Sequence, residues 1–252
     1  MNTMTTHDVD SIPPIEHDEA VQLASTETAR VLDLASSLSA QDWNADTDCP
    51  GWTVKDTFAH LLGMWKLHAD ADERARQQSA AAAAAQTSGR LRIDELTALQ
   101  VADHAALSVP ELLAQLRDVA PTALAARAAL PAAVRAQPYD PQMPGEPMWT
   151  VGYLFDVINT RDPWMHRVDI TRALGQPMTL TIDHDGRLIA DVVAEWGRRH
   201  SQAFELTLTG NAGGRYRQGT DGPVLTVDAV EFCRILSGRA IGEGLLAIPV
   251  PF

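Results

Sequence analysis

Cysteine and lysine are nearly missing from this sequence of 252 residues, which contains two of each. Cys49 and Cys233 are far apart and indicate neither a disulfide framework nor a thiolate metal cage, so a reducing cytoplasm is the expected location. Basic runs are also missing, because 33 acidic side chains face 20 basic ones and the formal net charge is −13. This balance argues against nucleic acid and anionic membrane surfaces as partners.

Long apolar runs are absent too. No stretch approaches the roughly 20 apolar residues that span a bilayer, and the first twenty residues lack the basic and apolar regions of a secretory signal. What is present is an ordinary 45% of hydrophobic residues. At about 150 residues per domain, the length indicates one large or two smaller globular domains working in free solution, with no membrane partner.

The pattern of predicted secondary structure changes once, near residue 180, from helices alone to a mixture of strands and helices. Residues 1–14 are predicted to be a flexible arm, residues 15–178 a helical bundle, and residues 179–252 a small α+β domain, so the expected fold class is α+β. The predicted helices cover 16–38, 91–107, 149–174 and 186–200, with further helices beginning at Thr53, Ser108 and Asp228.

Several local signals accompany these elements. Thr53 with Asp56 and Ser108 with Glu111 have the spacing of capping boxes. Pro121 is expected to kink or restart its helix. The segment 79–89 is left as a helix end or a connection, and five prolines in 131–147 indicate an extended connector. Strands are expected at 180–182, 204–209 and 224–227, with a glycine-rich turn at 210–222.

Polar residues on inward helix faces carry the functional signal, because burying them without partners costs free energy. His60 lies on a helix that is apolar on two sides. Asp162 and His166 lie one turn apart, and Asp169 adds a third polar group to their face. A carboxylate and an imidazole from one helix with an imidazole from another can converge inside a bundle and bind a divalent ion such as zinc.

Simpler interpretations exist for each residue. His60 can be a hydrogen-bonded core histidine. Asp162 before Pro163 can be the N-cap of a new helix. Asp169 can pair with Arg172 on a solvated face. The remaining histidines are predicted to be surface residues and the two cysteines inert: His7, His17, His68, His104, His184, His200, Cys49 and Cys233.

Several segments together resemble the mycothiol-dependent maleylpyruvate isomerase family, which belongs to the wider DinB-like superfamily of metal-binding four-helix bundles. The similar segments are Cys49–Asp56, Ala59–Leu61, Thr160–Ile170, Leu225–Arg234, Ser237–Ala240 and Val250–Phe252. They occur in the family's order over nearly the whole chain. The C-terminal pattern is also similar to sterol-carrier modules.

The resemblance implies a site and a chemistry. His60, Asp162 and His166 would be the zinc ligands, although the isomerase has Glu where this chain has the shorter Asp162. Asp169 would orient a ligand or a bound thiol, and Arg239 or Arg234 would assist catalysis. Mycothiol, as a metal-bound thiolate, would attack a small electrophile in isomerisation or S-transfer. The protein would be a monomer or a homodimer.

Two other functions remain open at this level. The chain can be a non-catalytic metal-binding bundle that acts in a thiol-stress response. It can also be a carrier of lipids or other small molecules, given the sterol-carrier-like pattern of its C-terminal part. One scaffold hosts many activities, so the resemblance alone does not choose among these functions.

Overall fold

The structure is a computed structural model that describes residues 5–252. The chain divides into two compact units, one formed by Glu16–Gln176 and the other by the residues up to Ile15 together with Pro177–Phe252. The predicted α+β class is confirmed, with a helical N-terminal part followed by a mixed part. Within residues 5–252, no helix is both long and apolar enough to cross a membrane.

The regular elements are as follows. The helices are α1 (His17–Ser37), α2 (Val54–Ala69), α3 (Ala71–Ser88), α4 (Arg92–His104), α5 (Val109–Ala128), α6 (Ala132–Arg135), α7 (Asn159–Ala173), α8 (Arg187–His200) and α9 (Ala229–Leu236). The strands are β1 (Thr6–Asp8), β2 (Pro138–Tyr139), β3 (Trp149–Thr150), β4 (Phe204–Thr209), β5 (Gly214–Gln218) and β6 (Val224–Asp228). Tyr153–Ile158 and Ile182–Gly186 are π-helical.

Four helices, α1, α2, α5 and α7, form the expected bundle of the helical unit, and α3 and α4 pack together against α2. The bundle core is apolar and includes Val31, Phe58, Leu61, Leu116 and Ile170. Each of these side chains is at most 1% exposed. Burial of one such side chain contributes about 1.5–3 kcal/mol to stability, so the core fixes the facing surfaces of α2 and α7.

The start of α2 is determined locally. The Thr53 hydroxyl accepts from the backbone N–H of Asp56, and the Asp56 carboxylate accepts from the backbone N–H of Thr53 at 2.9 Å. This capping box confirms the predicted helix start, as does the second box at the start of α5. The predicted restart at Pro121 is wrong, since α5 runs unbroken through it.

The segment before the second group of candidate ligands is more complex than the single helix predicted from Trp149. Strand β3 and a π-helical turn precede α7. Pro163 has no N–H to donate to the carbonyl of Asn159 one turn earlier. The buried guanidinium of Arg127 donates to that carbonyl instead, and also to the Phe155 carbonyl and the Thr160 hydroxyl. Burial lowers the pKa of Arg127 to about 10, against the opposing charge of Asp156.

The mixed unit is built on a sheet of strand order β1-β5-β4-β6, in which β5 is antiparallel to β4 while β1–β5 and β4–β6 are parallel pairs. Residues 6–8, inside the predicted flexible arm, therefore form an edge strand. The arm's residues 1–4 lie outside the described residues. The structure also corrects the predicted turn at 210–222, because β5 lies within it.

The physical reasons for these differences are local. In β5, Gly214 and Tyr216 are buried while Arg215 and Arg217 are exposed. This is the two-residue period of a strand. The sequence does not reveal it, because one of the two buried positions is a glycine, which has no apolar side chain. The predicted strand at 180–182 is wrong. The backbone N–H of Thr181 instead donates to the Asp185 carboxylate at 2.6 Å, at the start of a π-helical turn.

Candidate metal centre

Three side chains from α2 and α7 converge in the helical unit. His60 Nε2 lies 3.3 Å from Asp162 Oδ2, and His166 Nε2 lies 3.4 Å from Asp162 Oδ1. The three side chains each offer one ligand atom, and those atoms lie within 4.8 Å of one another. Both histidines are 4% exposed. The structure therefore brings together the three residues predicted as metal ligands.

A chain of amides determines which nitrogen of His60 carries the proton. Gln77 Nε2 donates to the backbone carbonyl of Gly63, so Gln77 Oε1 accepts from Gln100 Nε2 at 2.9 Å. Gln100 Oε1 is then the atom that lies 2.7 Å from His60 Nδ1. Because that oxygen can only accept, His60 Nδ1 is the donor, so Nε2 is the nitrogen that faces Asp162 and that carries the lone pair when the ring is neutral.

Gly63 allows this amide chain to form, because a Cβ at that position would lie 2.6 Å from Cβ and Cγ of Gln100. Neither Gln100 nor Gln77 was identified from the sequence. Both occupy helices whose apolar periodicity is weak, and no local motif marks a buried glutamine. Their role depends on the packing of α3 and α4 against α2.

Replacing Gln100 with Ala is expected to weaken zinc binding about 10- to 100-fold, the range typical of residues that orient a histidine ligand. Gly63→Ala should act in the same direction by displacing Gln100. Zinc affinity measured by competition with a chelator tests both variants. The matched control is Gln115→Ala, at a glutamine outside the amide chain. Equal zinc affinity in Gln100→Ala and Gln115→Ala would contradict the orienting role.

Asp162, His166 and Asp169 form an electrostatic cluster, in which His166 and Asp169 are buried and the Asp162 side chain is 22% exposed. Burial favours the neutral form of Asp162, yet the charges and hydrogen bonds of His166 and His60 hold its pKa well below the ordinary value. Burial also favours neutral His166, but Asp162 and Asp169 raise its pKa well above the ordinary value. His166 Nδ1 donates to Asp169 Oδ2 at 3.0 Å. Asp169 therefore orients the ring so that Nε2 faces Asp162.

The structure decides between the local alternatives for these carboxylates. Asp162 is not an N-cap, because α7 already begins at Asn159 and Asp162 lies inside its first turn. Asp169 hydrogen-bonds to His166, whereas Arg172 pairs with Asp48 at 3.1 Å. Both carboxylates thus serve the histidines rather than a helix end or a solvated ion pair.

The Asp162→Ala variant is expected to lose more metal affinity than thermal stability. The carboxylate supplies one of three candidate donor atoms, while the removed side chain caps no backbone group. Zinc titration and thermal unfolding of the metal-free protein, measured on the same preparation, test this expectation. Asp48→Ala is the control, since it removes a carboxylate from an exposed ion pair. A loss of stability with unchanged zinc affinity in Asp162→Ala would contradict the assignment of Asp162 as a ligand.

Cys49 and Trp52 contact the histidines from the loop that precedes α2. Cys49 Sγ lies 3.4 Å from Asp169 Oδ2 and 3.9 Å from His166 Nδ1, two groups that are far from it in the sequence. That its thiol is inert stays a prediction. The ring of Trp52 has its centroid 5.2 Å from His60 and 5.8 Å from His166. Cys49, His166 and Asp169 form a second group with suitable ligand atoms.

Several other sequence expectations concern residues outside this centre. His68, His104 and His184 are at most 5% exposed, so their prediction as surface residues is wrong, whereas His7 is exposed as predicted. His17 and His200 are partly buried.

The two arginines expected to assist catalysis lie in the mixed unit. Arg234 is buried on α9, where it pairs with Glu231 at 2.5 Å and donates to the carbonyl of Arg239. Their catalytic roles stay predictions.

The donor set fits a divalent cation. Two neutral imidazole nitrogens and one carboxylate are the ligands that catalytic zinc sites use. Donor atoms sharing a tetrahedral ion at bond lengths of 2.0–2.2 Å lie about 3.4 Å apart. Each imidazole Nε2 lies at 3.3 or 3.4 Å from one oxygen of Asp162. Both Nδ1 atoms are bound to acceptors, as is usual for histidine ligands.

Fold and site together define an α+β protein whose helical bundle presents two histidines and an aspartate to one point. The chain belongs to the mycothiol maleylpyruvate isomerase family, since the family model described as mycothiol maleylpyruvate isomerase N-terminal domain matches residues 24–171, more than half of the sequence. The resemblance inferred from the sequence motifs is thereby confirmed.

Solved structures agree with this family at the level of the fold. The crystal structure of the mycothiol-dependent maleylpyruvate isomerase has a TM-score of 0.58 and 16% identity, covering 94% of this chain and 93% of that one. A histidine-to-alanine mutant of the same enzyme matches with the same TM-score and coverage at 15% identity. Among curated proteins, none is significantly similar to this chain.

Proposed function

We propose that this protein is a zinc-dependent enzyme that uses a low-molecular-weight thiol, mycothiol, to isomerise a small electrophile or to form an S-conjugate with it. The observation that carries the proposal is the convergence of His60 Nε2, Asp162 and His166 Nε2 within the bundle. Family membership and the likeness to a mycothiol-dependent isomerase support the thiol as the second reactant.

The residues of the chain have distinct tasks in this proposal. His60, Asp162 and His166 would hold the ion. Gln100 and Asp169 keep the two Nδ1 protons away from the ligand side of the rings. A bound divalent ion supplies the acidity that keeps a coordinated thiol deprotonated at neutral pH.

The substitution of Asp for Glu sets a geometric requirement. An aspartate reaches less far from its helix than a glutamate, so α7 must lie close to α2 at this level. The separations of 3.3 and 3.4 Å between the Asp162 oxygens and the two imidazoles meet that requirement. Arg127 supports it by donating to the carbonyls of Phe155 and Asn159, where the helix that carries Asp162 begins.

One experiment tests the proposal in two stages. Elemental analysis of the purified protein should find about one zinc per chain, as expected for a single three-ligand site. Mycothiol consumption is then followed with a panel of electrophiles that includes conjugated alkenes and alkyl halides, with and without zinc. Zinc-dependent consumption supports the enzyme. Stoichiometric zinc without consumption of mycothiol would support metal binding and contradict the enzyme activity. A protein without zinc would contradict the metal site itself.

A further inference from the structure

A second polar group lies in the helical unit, in a pocket of about 820 Å³ lined by residues of α2 to α5. It contains Lys66, one of the two lysines of the chain, and none of the three candidate metal ligands. We infer that Lys66 is the nucleophilic amine of a carbonyl-binding site, which condenses reversibly with a small uncharged aldehyde while His104 accepts its proton.

The protonation of His104 follows from its hydrogen bonds. Its Nδ1 lies 2.8 Å from the backbone carbonyl of Gln100, which can only accept, so Nδ1 carries the proton in the neutral ring. The lone pair is then on Nε2, which lies 3.0 Å from Lys66 Nζ. His104 is 5% exposed, and burial lowers its pKa and keeps the ring neutral. A base is therefore held in contact with the amine.

Lys66 has a second acceptor in Gln115 Oε1, at 2.7 Å. A neutral amine has two N–H bonds and one lone pair. When the two N–H groups donate hydrogen bonds to His104 and Gln115, the lone pair of Nζ is left free to attack a carbonyl carbon. Burial lowers the pKa of Lys66, although Glu73 and Asp103 oppose the change, and this favours the neutral form.

The charges around the pocket select the kind of carbonyl compound. Four carboxylates line it, those of Asp70, Glu73, Asp103 and Asp118, against the two cations Lys66 and Arg76. This excess of negative charge disfavours the binding of keto acids and other anionic carbonyl compounds. Leu107 and Val119 add apolar surface that can contact an alkyl chain. An uncharged aliphatic aldehyde meets both conditions.

The condensation is balanced without an oxidant or a metal. The Nζ lone pair forms a bond to the carbonyl carbon while the carbonyl π electrons move to oxygen, which becomes an alkoxide. The new ammonium nitrogen loses a proton to His104 Nε2, and the imidazolium passes that proton to the alkoxide, so that His104 is neutral again. Loss of water from the carbinolamine then gives the imine, and hydrolysis by the reverse steps releases the aldehyde.

Reductive trapping tests this site on the intact chain without zinc or thiol. The protein is treated with butanal and sodium cyanoborohydride near neutral pH, and alkylation is located by peptide mass analysis. Lys55 is the internal control, because its Nζ donates to the backbone carbonyl of Ala105 and contacts no histidine base in the structure. Lys66 should react several times faster than Lys55, because the His104 base contacts its amine and burial favours its neutral form.

His104→Gln should bring the Lys66 rate down to the Lys55 rate, and pyruvate should label Lys66 more slowly than butanal does. Equal rates at Lys55 and Lys66 in the unaltered protein would overturn the proposal without the need for any variant. Unchanged labelling in His104→Gln would show that His104 does not act as the base. Faster labelling by pyruvate would exclude uncharged aldehydes as the preferred ligands. These results are independent of the proposed enzyme function, since zinc and mycothiol are absent.

Discussion

His60→Ala and His166→Ala are each expected to purify with almost no zinc, whereas the unaltered protein should carry about one ion per chain. Each change removes one of only three protein donor atoms and leaves a carboxylate and one imidazole, too few for a tight site. Elemental analysis after dialysis against dilute zinc measures the content directly. Thermal unfolding gives a second readout, because zinc at 100 times its Kd should stabilise the unaltered protein by about 2.7 kcal/mol but neither of these two variants.

The control for this experiment is His7→Ala, which removes an exposed histidine from the mixed unit. It should keep the full zinc content and the full stabilisation by zinc. If both His60→Ala and His166→Ala retain stoichiometric zinc, the ion is bound elsewhere and the proposed centre is wrong.

Arg167→Met is expected to lower the free energy of unfolding by about 3–5 kcal/mol, the cost of removing one partner from a buried ion pair. Arg167 on α7 donates to Glu27 on α1 through Nε at 2.7 Å and Nη2 at 3.0 Å. Their side chains are 4% and 1% exposed. The variant leaves the Glu27 carboxylate buried without this guanidinium. Urea unfolding followed by circular dichroism measures the change.

Two further variants sharpen the test. Arg117→Met removes an exposed arginine that bonds the Ser36 hydroxyl, and should change stability by no more than about 0.5 kcal/mol. The double variant Arg167→Met, Glu27→Leu should be less destabilised than Arg167→Met alone, because it also removes the carboxylate that has lost the Arg167 guanidinium. Equal stabilities of Arg167→Met and Arg117→Met would show that the buried pair contributes little.

Local chemistry explains what the sequence predicts well. The capping box of Thr53 and Asp56 involves residues three apart, and Asp162 and His166 are one helical turn apart, so both relations are visible without tertiary structure. The approach of His60 to that pair follows once the inward faces of two bundle helices are recognised. For the same reason the core residues of α2 follow directly from its periodicity.

The remaining features depend on contacts between distant segments. The orientation of His60 depends on Gln100 and Gln77, which come from two other helices. His68 is predicted to be a surface residue, but it is buried, and its Nε2 lies 2.9 Å from Nδ2 of the Asn159 side chain. Strand β5 is obscured by its glycine and arginines, and becomes ordered by pairing with β4 and β1.

The π-helical turn at Tyr153–Ile158 is equivalent to one extra residue inserted into a helical path. Because the wide turn takes up that residue locally, the side chains on either side of it keep the directions of an uninterrupted helix. Deleting one residue there should therefore leave Asp162 and His166 facing His60, and should change instead the position of the Phe155 carbonyl, which accepts from the Arg127 guanidinium. The wide turn thus bears on the seat of that buried guanidinium and not on the direction of the two candidate ligands.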